Sequence, residues 1–169
     1  MSVEENNKAL VRRFIDEVYN RGNVDVADEL LAPDYVDHTA PPGKYAGRED
    51  LKRSVAKQRA SSSDLHINIE EIAEGDKVVS RVIGSGTHDR ERFMDLAPTG
   101  KRMTMKHIII SRMAEGKIVE EWRVSDISDM WQRRLQRERI EHERVEQELR
   151  VARSIQQASL PKEVPTLVG

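Results

Sequence analysis

The chain has 169 residues, 37% hydrophobic and 34% charged, with 28 basic against 30 acidic residues, a formal net charge of -2 and a pI of about 6.2. Such a chain can bury one modest core but not two, and its interspersed, nearly balanced charges give no electrostatic case for nucleic acid or an anionic membrane as partner. Cysteine is absent, which excludes disulfides, thiolate catalysis and thiolate zinc sites. The polar start MSVEENNK lacks a signal-type apolar region and no apolar run is long enough to span a bilayer, so a cytoplasmic location is expected.

From Glu4 to Tyr19 the apolar positions Leu10, Val11, Phe14, Ile15 and Val18 follow helical spacing, and Arg21-Gly22-Asn23 stops the pattern. Asp25 to Leu31 reads as a short second helix ended by Pro33. Tyr35 to His38 form a brief extended piece before the Pro41-Pro42-Gly43 turn, and Gly47 to Arg59 form a third helix carrying Leu51 and Val55. The period then changes to two: Leu65, Ile67 and Ile69 alternate with His66, Asn68 and Glu70, and Glu74-Gly75-Asp76 turns the chain into a strand from Val78 to His88. Asp89 to Lys101 is a long polar loop with the composition of a lid. Met103 to Met113 and Lys117 to Asp126 make a last hairpin. Helices followed by hairpin-ordered strands specify an α+β domain, with helices on one face of a curved, mostly antiparallel sheet.

The stretch GKIVEEWRVSDISDMW closes this domain. Strict alternation places Ile118, Trp122, Val124 and Asp126 on one side of the strand and Val119, Glu121, Arg123 and Ser125 on the other, so an acid falls on the apolar face. A carboxylate among buried groups acquires a raised pKa, which suits a general base or a ligand-orienting hydrogen bonder. Equally, Asp126 precedes Ser128 and a charged helical run and can simply cap it. From Gln132 to Arg153 most residues are Arg, Glu or Gln. Leu135, Val145, Leu149 and Ala152 fit an a/d seam that also takes in Glu138 and His142 and leaves out Ile140. A helix from Ser128 to about Ser159 would extend roughly 45 Å, which favours a parallel pairing with a second copy. Residues 128–160 are thus expected to be a coiled-coil linker after a domain of residues 1–127, and residues 161–169, which hold KEVPTLVG, are expected to be the start of a further domain.

Taken in order, NKALVRRFIDEVYNRGNVDVADELLAPDYVDH, GDKVVSRVIGSGTH, PTGKRMTM and GKIVEEWRVSD resemble the SnoaL-like polyketide cyclase (ester cyclase) family of the nuclear transport factor 2-like superfamily. The resemblance spans about residues 4 to 131. It implies a cone-shaped α+β barrel, usually dimeric, with a pocket between sheet and helices. In that family it implies cofactor-free and metal-free aldol ring closure by an aspartate acid/base, which corresponds here to Asp126. His107 shares strand parity with Met103, Met105 and Ile109, which makes it a candidate donor for an enolate oxygen or else a structural histidine. Trp122, Tyr35, His38 and Met105 are candidate pocket residues; for Trp122 and Tyr35 the alternative is core packing, and for His38 a solvated loop. Tyr19 and Phe14 are assigned to the core. The run QELRVARSIQQASLPKEVP is similar to the linker helix that precedes SpoIIE-type metal-dependent serine/threonine phosphatase domains, whose metal-binding motifs are not present in these residues. Two functions follow: a dimeric sensor domain for a small apolar or amphipathic ligand, acting through the linker on a phosphatase domain, or a small cyclase or isomerase using Asp126. A third, purely architectural reading predicts a pocket filled with side chains.

Overall fold

A computed structural model describes residues 2–39, 47–93, 96–126 and 128–159, with side chains along the last stretch described at 135, 136 and 138–157. The chain divides into two compact units, Met1–Asp129 and Met130–Gly169. In the first, helix α1 (Val3–Phe14) starts where the Ser2 hydroxyl accepts from the Glu5 N–H. It runs on into a π-helical turn, Ile15–Asn20. A single 3-10 turn (Val24–Val26) and α2 (Ala27–Leu30) follow, then strand β1 (Leu31–Asp37), α3 (Arg48–Ala60), β2 (His66–Glu74), β3 (Lys77–His88), β4 (Lys101–Ala114) and β5 (Lys117–Asp126).

The five strands form one sheet in the order β1-β5-β4-β3-β2. Neighbours are antiparallel except β1, which returns beside β5 in parallel. The edge position explains how Pro33 is tolerated inside β1 rather than merely ending a helix, because a proline cannot donate to a central ladder. Val11, Phe14, Val18, Leu30, Leu31, Leu51 and Val55 pack from the helices and β1 against Ile67, Val78, Val82, Ile109, Met113 and Ile118 of the sheet. The α+β class with a mostly antiparallel sheet is as expected.

One departure from the expected pattern governs everything at the C-terminal end of the sheet. The turn between β4 and β5 holds Glu115 and Gly116 in the left-handed region, at φ 51° and 72°, and pairs Lys117 with Ala114 and Ile118 with Met113. The register then slips, so that Glu120 rather than Val119 faces Arg112, and Glu121 faces Ser111. This is a β-bulge, and one extra residue reverses every side chain beyond it. Ile118 and Glu121 are both buried, whereas Trp122, Val124 and Asp126 are exposed. The expectation that Trp122, Val124 and Asp126 share the apolar inner face with Ile118 is therefore corrected: the inner face carries Glu121, Arg123 and Ser125. The slipped register is favoured chemically, since it sets Arg112 against Glu120 as an ion pair and lets the Ser111 hydroxyl donate to Glu121.

Helix α4 spans Ser128–Ser159, all but its first two residues in the second unit. Leu135, Val145, Leu149 and Ala152 are exposed along it. The cap reading of Asp126 turns on residue 127, and the expected further domain on residues 161–169; both lie outside the described residues. No described helix is long and apolar enough to cross a membrane.

Candidate functional site

Between the helical layer and the inner face of the sheet lies a cavity of about 210 Å³. Its apolar wall comprises Ile15, Ile67, Val82, Phe93, Met105 and Ile109, and its polar wall Tyr19, Ser54, Gln58, His107, Arg123 and Ser125. The π turn is what brings Tyr19 here, because its wider winding offsets the side chains from ordinary helical positions. Its terminal carbonyls are held by α3: Arg59 Nη1 donates to Tyr19 O at 2.6 Å and to Asn20 O at 2.7 Å. The Asn20 amide in turn exchanges hydrogen bonds with the backbone of Ile67, at 3.0 and 2.7 Å. Phe93 arrives from the long polar loop, anchored where the His88 carbonyl accepts from Thr99 N and Gly100 N and Ser63 Oγ donates to Asp89.

Behind the polar wall lies a buried network. The Tyr35 hydroxyl donates to Glu121 Oε2 and the Ser111 hydroxyl to Glu121 Oε1, each at 2.8 Å. Arg123 Nη2 stands 3.8 Å from Glu121 and 4.0 Å from Asp37. Burial pushes the Glu121 carboxyl above the usual carboxylate range even though Arg123, Tyr35 and Ser111 favour its charge. Burial also works against the charge on Arg123, yet the Glu121 and Asp37 carboxylates beside it keep the guanidinium protonated. Tyr19 and Tyr35 are both pushed up, chiefly by burial, and stay neutral hydroxyls. His107 is half-buried, its Nδ1 paired with Ser125 Oγ at 2.8 Å, and burial together with the Arg123 charge lowers its pKa to about 4.

Family comparison agrees with this architecture. The model of the SnoaL-like polyketide cyclases matches residues 9–133. The chain belongs to the SnoaL-like polyketide cyclase family. Among solved structures, a candidate polyketide cyclase from Acidithiobacillus ferrooxidans is 26% identical, with a TM-score of 0.66 over 79% of this chain and 96% of its own. IdmH, a candidate polyketide cyclase from Streptomyces antibioticus, is 30% identical, with a TM-score of 0.60 over 71% and 91%. AclR, a candidate hydroxylase from Streptomyces galilaeus, is 25% identical, with a TM-score of 0.64 over 73% and 77%. No curated protein matches the chain. Two different chemistries thus stand among the neighbours of this SnoaL-like domain, and the site must decide.

Of the residues expected in the site, Met105 and His107 line the cavity. Tyr35 lies one layer behind, its ring buried and its hydroxyl committed to Glu121. His38 and Trp122 meet each other instead, their rings stacked at 4.8 Å, with His38 Nε2 2.9 Å from Glu120 Oε2. Asp126 is exposed, paired across the ladder with Lys106 on the outward side. Sequence reasoning missed Arg123, Ser125 and Glu121, which the bulge turns inward; Tyr19, assigned to the core, packs against it and also lines the cavity. Among the described residues lining this SnoaL-like cavity none is a carboxylate, and no group of three or more His, Cys, Asp or Glu could hold a metal ion.

The lowered pKa of His107 makes a pH prediction. Between pH 6.5 and about 4 the unfolded chain binds a proton on this histidine that the folded chain refuses, so stability falls as pH drops through that window. Allowing for screening at a half-buried site, the loss is ~1–2 kcal/mol. Glu121 acts in the opposite sense, since its raised pKa favours the folded chain as pH drops. Urea unfolding of wild type and His107→Gln at pH 7.5 and 4.5 isolates the histidine: the difference between them should shrink or reverse toward pH 4.5. A constant difference would show that the imidazole titrates normally.

Proposed function

We propose that the SnoaL-like domain binds a small, largely apolar molecule and serves as the sensory part of a bacterial signalling protein, passing occupancy through α4 to a protein phosphatase domain. The observation that carries this reading is the place of the polar wall in the chain. Arg123 and Ser125 are the last inward residues of β5, and α4 begins at Ser128. A ligand that engages either residue acts on backbone only a few residues before the long helix, and differential contact with two arrangements of that segment is what a switch needs. The phosphatase is proposed from the likeness of QELRVARSIQQASLPKEVP to linkers that precede such domains.

The chemistry favours binding over turnover. Aldol-type ring closure needs a base whose pKa lies near the working pH. Asp126 sits on the outward side, and the imidazole of His107, with a pKa of about 4, is a weak base. The cyclase reading therefore has to rest on His107, supported by Arg123 as the group that would stabilise an enolate oxygen.

We also propose that the protein is a homodimer through the outer face of the sheet and through α4. Ile108 and Val124 face each other across the ladder and are both exposed, as is Trp122 beside Ile110. The bulge that takes Trp122 and Val124 away from the core makes this apolar outer face, and a second copy is its simplest cover.

Native mass spectrometry of the purified protein, followed by denaturing extraction, tests the binding reading. A retained small molecule is expected, lost in Met105→Trp, which fills the cavity, and kept in Asp126→Asn. A ligand lost in Asp126→Asn and kept in Met105→Trp would place the site elsewhere.

A further inference from the structure

We propose that the ligand of the cavity is a small amphipathic carboxylic acid, its carboxylate held by Arg123 and its body packed against Ile15, Ile67, Val82 and Ile109. This rests on the reading of the cavity as a ligand site and names the class of molecule it takes. Arg123 is a guanidinium on the wall of an otherwise mainly apolar cavity; it hydrogen-bonds the Tyr19 hydroxyl, and not all of its donors are spent. Its Nε is buried without a hydrogen-bond partner. The two carboxylates nearest to it stand at 3.8 and 4.0 Å, which is ion-pair range but beyond a hydrogen bond. Both are already engaged elsewhere. Both oxygens of Glu121 already accept hydroxyls, from Tyr35 and Ser111, and Asp37 Oδ1 accepts from Thr39 N at 2.8 Å.

These carboxylates hold the guanidinium in place and charged while leaving its hydrogen-bonding fork incomplete. A planar pair of anionic oxygens is the group that completes it, because guanidinium and carboxylate match in shape as well as charge. No carboxylate stands among the described lining residues, and the Ser125 hydroxyl lies on the same wall; the Glu121 and Asp37 carboxylates beside Arg123 temper its charge without lining the cavity. A volume of about 210 Å³ exceeds the roughly 150 Å³ of a cavity that takes one benzene ring. That suits a carboxylate on a short chain or a small ring system.

The matched probes hexanoate and hexanamide, titrated calorimetrically into the full-length wild-type chain, test this without any substitution. Hexanoate is expected to bind at least about tenfold tighter than hexanamide, the margin of a charge-assisted over a neutral hydrogen-bonded pair. Arg123→Met should erase the difference, and Arg123→Lys, which keeps the charge but not the fork, should retain part of it. If Arg123→Met does not fold, the wild-type pair and the lysine variant still decide. Equal binding of the two probes, or tighter binding of the amide, overturns the acid assignment and leaves a site for neutral ligands. Failure of both probes to bind at about 10 mM, where even weak sites show saturation, overturns the cavity reading itself and the acid with it.

Discussion

Glu121→Ala is expected to cost about 3–5 kcal/mol of folding stability. The carboxylate is 3% exposed and receives two buried hydroxyls, from Tyr35 and Ser111. Truncation leaves both donors without an acceptor and takes from Arg123 one of its two neighbouring carboxylates. Against a total stability of about 5–15 kcal/mol for a domain, such a loss would lower the midpoint of thermal unfolding by roughly 10–20 °C. Glu121→Gln keeps the shape and one acceptor and should fall between. Asp126→Asn is the control, an exposed carboxylate whose replacement should stay within about 0.5 kcal/mol. Urea unfolding at pH 7 measures all three. If Glu121→Ala lost no more than Asp126→Asn, the Tyr35–Glu121–Ser111 network would not be what seats Arg123.

The contrast between these two acids shows where the sequence was legible. The order of helices and strands followed from periodicity, because most elements have one wet face and one dry one: α1 buries Val11 and Phe14, and β3 buries Val78, Ser80 and Val82 on one parity. Strand parity held on β4 too, where Met105, His107 and Ile109 fall on one face and line the cavity. The count failed on β5, because periodicity is silent about a bulge and a single extra residue exchanges the faces. Trp122 and Val124 added to the error, since apolar residues on an outer face look the same in sequence as apolar residues in a core. A signal was present in the pairing chemistry. Unbulged, the hairpin would set Val119 against Arg112 and Glu121 against Ile110, whereas one slip gives Glu120 to Arg112 and Glu121 to Ser111. Complementarity across the ladder, rather than alternation along it, identifies the inward acid. The π turn that turns Tyr19 to the cavity left no comparable trace, since its sequence IDEVYN continues a helical pattern and its winding depends on Arg59 and Asn20 holding its end.

If two copies of α4 pair in parallel and in register, Leu149→Cys is expected to cross-link the dimer while Ser154→Cys is not. The chain contains no cysteine, so each substitution introduces the one thiol present. Leu149 belongs to the stripe formed by Leu135, Glu138, His142, Val145 and Ala152, whose spacing of three and four residues keeps one side of a helix toward a partner. Its side chain is 53% exposed in the single chain, as an unfilled seam position would be. A disulfide needs Cα atoms about 4.4–6.8 Å apart, a condition that residues at the centre of a parallel two-stranded seam meet and residues five positions on, turned about 140° away, do not. Mild oxidation should therefore carry most of the Leu149→Cys protein into a covalent dimer on a non-reducing gel, with at least about tenfold less from Ser154→Cys, and dilution should leave the first fraction nearly unchanged. Equal cross-linking at both positions would mean random collision. Efficient cross-linking at Ser154 alone would put the seam on the side of Ile140 and Gln147. The presence of Glu138 and His142 on the expected stripe adds a second consequence: these two layers weaken the pairing there, so the helix should cross-link less readily at His142→Cys than at Leu149→Cys even though both lie on the same side. A seam weak at these layers and closed farther along is the form in which movement at the end of β5 can be passed on as a change in pairing rather than absorbed.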